Sequence, residues 1–124
     1  MEDSRKELGQ KGEKAAQLFM QDRGMEILDT NWKCSYGEVD IIAKEGDVLV
    51  FCEVKTRKTT SAGIPEEAVT EAKQRRYIKC ARVYLSRSAV PHKEIRFDVI
   101  GIYALNETQA LLRYARNAFD ASAD

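Results

Sequence analysis

Gly37-Glu38-Val39-Asp40-Ile41-Ile42-Ala43 and Val48-Leu49-Val50-Phe51-Cys52-Glu53-Val54-Lys55 flank the short segment Glu45-Gly46-Asp47. Gly and Asp between two hydrophobic runs are turn residues, so the spacing predicts a β-hairpin. The second run is nearly all apolar until Glu53, as in a central strand covered on both faces. Side chains alternate along a strand, so Glu53 and Lys55 share a face roughly 7 Å apart, and the hairpin brings Asp40 beside them. Charged groups at the end of such a strand are costly unless they are paired or hold a metal.

Upstream, Gly12, Ala15, Ala16, Phe19 and Met20 recur at helical spacing, which predicts a helix from Ser4 to Arg23 with Gly24 as its C′ residue. Met25 to Trp32 reads as a first strand. Downstream, Thr56 to Ile64 has no periodicity and reads as a mobile loop. Pro65 suits a first helical position, with Glu66 and Glu67 at the positive end of the helix dipole. The apolar stripe Ala68, Val69, Ala72, Tyr77, Cys80, Ala81, Tyr84 and Leu85 carries that helix to Ser86, before Pro91. Ile95, Phe97 and Val99 alternate with Arg96 and Asp98, giving a strand through Tyr103. Asn106-Glu107 is a turn and Ala110 to Tyr114 a last strand. A strand–helix–strand step needs a crossover, so part of the sheet is parallel. The expectation is an α/β fold with a mixed sheet of about five strands flanked by helices. It forms one domain over residues 1–119, with 120–124 as a disordered tail.

Apolar residues make up 44% of the 124, enough for a core. No apolar run approaches the ~20 residues of a membrane span, and the charged start Met1-Glu2-Asp3-Ser4-Arg5-Lys6 does not resemble a signal peptide. Cys34, Cys52 and Cys80 are odd in number and lack C-x-x-C spacing, which argues against a disulfide framework or zinc site and for a reducing cytoplasm. Net charge is zero, yet Lys55 to Arg96 is basic, its acids being only Glu66, Glu67, Glu71 and Glu94. On charge alone a solvated helix face is the preferred explanation of that split, ahead of a polyanion surface.

Phosphodiester hydrolysis needs an activated water and neutralised phosphate charge. Mg²⁺ or Mn²⁺ supplies both when held by one or two carboxylates with several waters retained. Asp40 and Glu53 fit as ligands, and Lys55 fits as the group that orients the water or stabilises developing charge. The plain alternative is a Glu53–Lys55 surface ion pair. Glu38, two residues before Asp40, is either a further ligand or a rim residue. Asp98 reads as structural, a partner for Arg96 or a lysine. Arg57, Lys58, Lys73, Arg75 and Arg76 are candidates for phosphate contacts. Trp32 and Tyr36 suit packing or base stacking.

Gly-Glu-Val-Asp, a short hairpin and Glu-Val-Lys-Thr-Arg resemble the catalytic core of the PD-(D/E)XK nuclease superfamily. Within it the chain resembles archaeal Holliday-junction resolvases and, more closely, the bacterial YraN family of predicted endonucleases. The likeness runs through Gly12-Glu13, Ile27-Leu28 with Asn31, Gly37 to Ala43, Val50 to Arg57, and Gly63 with Pro65 to Val69. It continues at Lys73, Arg96 to Val99 and Asn117 to Phe119. The resemblance implies a restriction-endonuclease-like core with Asp40, Glu53 and Lys55 at the catalytic positions. It places Glu13 where resolvases carry an acidic residue near the metal, although a solvated helical carboxylate is an equal reading. Val39 stands where the signature has proline, which touches no ligand. The implied activity is Mg²⁺-dependent (or Mn²⁺-dependent) endonucleolytic cleavage of DNA, branched or junction DNA included, by a homodimer with no membrane partner. The same chemistry would serve RNA or single strands. The rival class is a nucleic-acid-binding or adaptor protein that keeps the fold without catalysis.

Overall fold

A computed structural model describes residues 4–58 and 69–120. The order is α1 (Ser4–Asp22), β1 (Glu26–Cys34), β2 (Gly37–Glu45), β3 (Val48–Arg57), α2 (Glu71–Arg87), β4 (Glu94–Ala104) and β5 (Ala110–Phe119). The strands form one sheet in sequence order, β1-β2-β3-β4-β5. β3 and β4 are parallel, joined by the crossover through α2, and the other neighbours are antiparallel. This is the mixed, helix-flanked sheet of a restriction-endonuclease-like core.

The period of two along β3 decides which helix covers which face. Val50, Cys52 and Val54 pack with Ala16 and Met20 of α1. Leu49 and Phe51 pack with Tyr77, Ile78, Cys80, Ala81 and Tyr84 of α2. Leu49, Val50, Phe51 and Cys52 are fully buried, as expected of a central strand. Each large apolar side chain so buried contributes about 1.5–3 kcal/mol. The predicted hairpin closes through Gly46-Asp47, with Glu45 paired to Val48 and Gly46 at φ 59, a backbone region open to glycine without strain. At Gly12 of α1, an added Cβ would collide with the Thr56 hydroxyl. Glycine there lets the helix approach the end of β3, and Glu13 arrives with it.

Two expectations are corrected. α2 begins at Glu71, not at Pro65: Thr70 is the N-cap, extended at φ −68 and ψ 163, its side chain accepting from the Lys73 N–H. A Thr hydroxyl satisfies an orphan amide of the first turn, so the stripe beginning at Ala68 does not mark the start. The expected loop tip, Pro65, Glu66, Glu67 and Ala68 lie outside the described residues. β5 continues past Tyr114 to Phe119. Its register against β4 shifts between Phe97 and Val99, with Asn117 at φ 55 inside the irregularity. Phe119 stacks on Phe97 with ring centroids 4.8 Å apart, which holds the far end of the strand to the sheet. Of the expected tail 120–124, residues 121–124 lie outside the described set.

Among the described residues, no helix is long and apolar enough to cross a membrane.

Candidate functional site

The ladder between β2 and β3 runs from the turn only as far as Ile41 paired with Cys52. Beyond it β2 stays paired with β1 to Gly37, while β3 stays paired with β4 to Arg57. The next strand amide on β3, Val54 N–H, donates to the Asp40 carboxylate at 2.8 Å. A side-chain oxygen thus takes the place of a ladder carbonyl, and the sheet forks at Asp40. In the fork lies a cleft of about 270 Å³ lined by Gly37, Glu38, Asp40, Glu53, Lys73, Arg76 and Tyr77.

Glu53 is 5% exposed. Its Oε1 receives Lys73 Nζ at 2.5 Å and stands 3.7 Å from Lys55 Nζ. Lys73, expected to meet phosphate, is thus bonded to a candidate metal ligand. Contact with Lys73, then burial, draws the Lys55 ammonium below its ordinary value. Burial works against the charge on Lys73 too, but its bonds to Glu53 and Lys55 outweigh burial and raise it. Lys73 is therefore the firmly charged member of the pair, and Lys55 the one closer to releasing a proton.

Asp40 is the most perturbed carboxylate here. Burial, followed by the negative charge of Glu53, pushes it from 3.8 up to about 7, with smaller contributions from Glu13 and Glu38 and with the Val54 N–H opposing. Tyr77, 2% exposed, closes the floor. The Asp40 backbone N–H donates to its hydroxyl at 3.4 Å. Burial and the charges of Glu53 and Asp40 hold the phenol well above its usual range, so it remains a donor.

Glu13 of α1 and Glu38 of β2 form the outer part of the site. Asn31 on β1 lies within 3.3 Å of Glu13 Oε2. Turning its amide over places the NH₂ 3.1 Å from Glu38 Oε1 and 3.2 Å from Glu13 Oε1, the orientation in which both carboxylates meet a donor. Glu38 is exposed and also stands 4.0 Å from Lys33 Nζ. Asn31 and Tyr77 are residues whose role at the site the sequence reading missed. Tyr77 follows Lys73 by four residues, the spacing that puts two helical side chains on one face. A polar Asn between Thr30 and Trp32 was the corresponding signal on β1.

The remaining basic candidates separate. Arg76 lines the cleft, whereas Arg75 points to Glu71, with 3.9 Å between charged atoms. Arg57 is exposed at the end of β3. Lys58 lines a different groove, between α1 and the β4–β5 turn. Trp32 packs edge-on against Tyr84 at 5.4 Å, while Tyr36 is exposed with Lys79 Nζ 5.4 Å from its ring centroid.

Among the described residues, no three His, Cys, Asp or Glu side chains are gathered into one ligand set. Asp40 and Glu53 offer two carboxylates whose mutual repulsion a cation would relieve. That donor set suits a hard ion bound through one or two carboxylates plus water and substrate oxygens, and it does not suit a fully protein-ligated metal.

The family described as "Uncharacterised protein family UPF0102" matches residues 12–102. A UPF0102 protein of Rhodococcus opacus is 46% identical over 112 residues, covering 90% of this chain and 95% of that one. One from Dictyoglomus turgidum is 43% identical over 115 residues, covering 92% and 98%. A third, from Caldicellulosiruptor saccharolyticus, is 42% identical over 117 residues, covering 94% and 99%. The matched span runs from Gly12 beside Glu13 through the fork to β4, and the chain belongs to the UPF0102 (YraN) family.

Proposed function

We propose that this protein is a metal-dependent endonuclease that hydrolyses phosphodiester bonds in DNA, with branched or junction DNA as the favoured substrate. The observation that carries the reading is the Asp40 carboxylate, half-buried at the sheet fork, pushed up to about 7 and facing Glu53 with two lysines. Strongly perturbed groups in a cleft mark functional sites more often than structural ones. Asp40 and Glu53 would hold Mg²⁺ or Mn²⁺, with Glu38 and Glu13 as outer carboxylates steadied by Asn31. A bound ion would supply neutralisation of phosphate charge and a water made acidic enough to attack. Lys55, whose ammonium gives up its proton more readily beside Lys73, would accept a proton from the attacking water as the neutral amine. Lys73 holds the Glu53 carboxylate in place. Arg76 at the cleft and Arg57 at the strand end offer phosphate contacts that position a strand without reading its sequence. Two symmetric nicks in a junction need two sites, hence a homodimer.

The alternative, a nucleic-acid-binding protein without turnover, draws on the tight Lys73–Glu53 pair, which already neutralises one ligand. A cleavage assay with Mg²⁺ and Mn²⁺ on four-way junctions, flaps, single strands and plain duplex separates the two readings. Wild type is expected to cut and Glu53→Ala and Asp40→Ala not to. Equal cleavage by all three would remove the catalytic assignment, and metal-independent binding without cleavage by any would favour the alternative.

A further inference from the structure

Cys34 ends β1 and Cys80 lies in the middle of α2, 46 residues apart, and their sulfurs are 3.4 Å from each other. Both thiols are free. A disulfide bond spans about 2.0 Å, so closure needs an approach of about 1.4 Å, within reach of a side-chain rotation. The two cysteines differ in access: Cys34 is half-buried, and Cys80 is 1% exposed. Burial, followed by the contact with Cys34, pushes the Cys80 thiol up to about 12. The third cysteine, Cys52, is fully buried in the core under α1, on the other face of the sheet from Cys80. The geometry therefore allows one pairing and excludes the other two.

The position matters as much as the distance. Cys34 is the register partner of Gly37 across the β1–β2 turn. A Cβ built on Gly37 would lie 4.0 Å from Cys80 Sγ. Gly37, Arg76 and Tyr77 are walls of the cleft at the sheet fork, and Cys80 follows Tyr77 by one helical turn. The sulfur pair thus bridges the two elements that frame the cleft mouth.

We propose that Cys34 and Cys80 form a thiol modification site that hydrogen peroxide converts to a disulfide, fastening the β1–β2 turn to α2 beside the cleft. Cys34, the accessible sulfur, attacks the peroxide as thiolate. The O–O bond breaks, a sulfenic acid forms on Cys34, and the released hydroxide leaves as water with the thiol proton. The Cys80 sulfur then attacks the sulfenic sulfur, the S–O bond breaks, and a second water carries away the Cys80 proton. Two thiols lose two electrons in total and the peroxide is reduced to two waters. This holds whatever the cleft does, so its test is independent of nuclease activity.

The experiment treats the reduced full-length protein with stoichiometric hydrogen peroxide and maps its peptides without reduction. The expected product is a monomer lighter by two hydrogens, with Cys34 linked to Cys80, reversed by dithiothreitol and melting at a higher temperature than the reduced form. Cys52→Ser should link equally well. Cys34→Ser should not link, and being half-buried it tests the pair even if changes at Cys80 prevent folding. A link through Cys52, a link only between two chains, or oxidation of Cys34 that stops at sulfenic or sulfinic acid would each overturn the assignment.

Discussion

Asp98 and Asp40 occupy neighbouring levels of one sheet and live in opposite surroundings. Cys52 of β3 pairs with Asp98 on one side and with Ile41, the neighbour of Asp40, on the other. Asp98 is fully buried. Arg96 donates to it through Nε at 2.9 Å and Nη2 at 3.0 Å, Tyr114 through its hydroxyl at 2.5 Å, and the Asn117 backbone N–H at 2.9 Å. Arg96 turns its third nitrogen to Glu45 at 2.9 Å. Burial opposes the Arg96 charge, but its bonds to Asp98 and Glu45 more than reverse that and hold the guanidinium firmly protonated. The irregularity in β5 is what brings the Asn117 amide inward, so the strand is bent to complete this network. Asp40, by contrast, accepts from the Val54 N–H, and the charges that weigh most on it are carboxylates. A buried acid with every lone pair answered is a structural element. One crowded by its own kind is held at a cost that a ligand can relieve.

The largest expected effect tests the structural half. Asp98→Ala should destabilise the protein by about 3–5 kcal/mol in denaturant unfolding, because it strands a buried guanidinium; a loss under about 1 kcal/mol would mean that the network is slack. The next tests the strained half, in metal-free buffer. Since folding raises the Asp40 pKa from 3.8 to about 7, the folded state keeps a proton that the unfolded chain releases between those values. Stability should therefore fall as pH rises from about 4 to about 7 and level off above it. Asp40→Asn should remove that slope and stabilise the protein at pH 8 by about 2–4 kcal/mol, with little effect at pH 4. A destabilised Asn variant at pH 8 would place Asp40 with Asp98 as a structural acid. Lys73→Met should cost about 1–3 kcal/mol by leaving Glu53 short of its main partner. A double-mutant cycle with Glu53→Gln should recover part of that loss, and simple additivity would deny the pair. The smallest effect concerns DNA: Arg76→Glu should weaken binding and lower the salt slope by about 1 or more, while Arg75→Glu, outside the cleft, should change it less. The reverse ranking would move the binding surface off the cleft.

The hairpin, the central strand and the crossover were legible because they rest on local patterns: turn residues at Gly46-Asp47, a period of two, and a helical stripe through Tyr77, Cys80 and Tyr84. The convergence of Asp40 with Glu53 followed from pairing two strands. What the sequence hid depended on distant partners. The N-cap at Thr70 looked like the inside of a helix because the apolar stripe begins earlier, at Ala68. β5 past Tyr114 lacks a strand pattern, since its length is set by Asn117 reaching Asp98 and Phe119 reaching Phe97. Lys73 looked like any basic helix residue until the fold set it 2.5 Å from Glu53. Asn31 needed a left-handed backbone, φ 50, to meet two carboxylates from different elements.

The most direct test of a cation site at Asp40 is a calorimetric Mn²⁺ titration of wild type and Asp40→Asn at pH 8, where the wild-type carboxylate is ionised. Wild type should bind the ion at one site, and the Asn variant, folded and at least as stable, should bind at least about tenfold more weakly, a loss of roughly 1.4 kcal/mol. Equal affinity in the two proteins would contradict the assignment of Asp40 as a ligand.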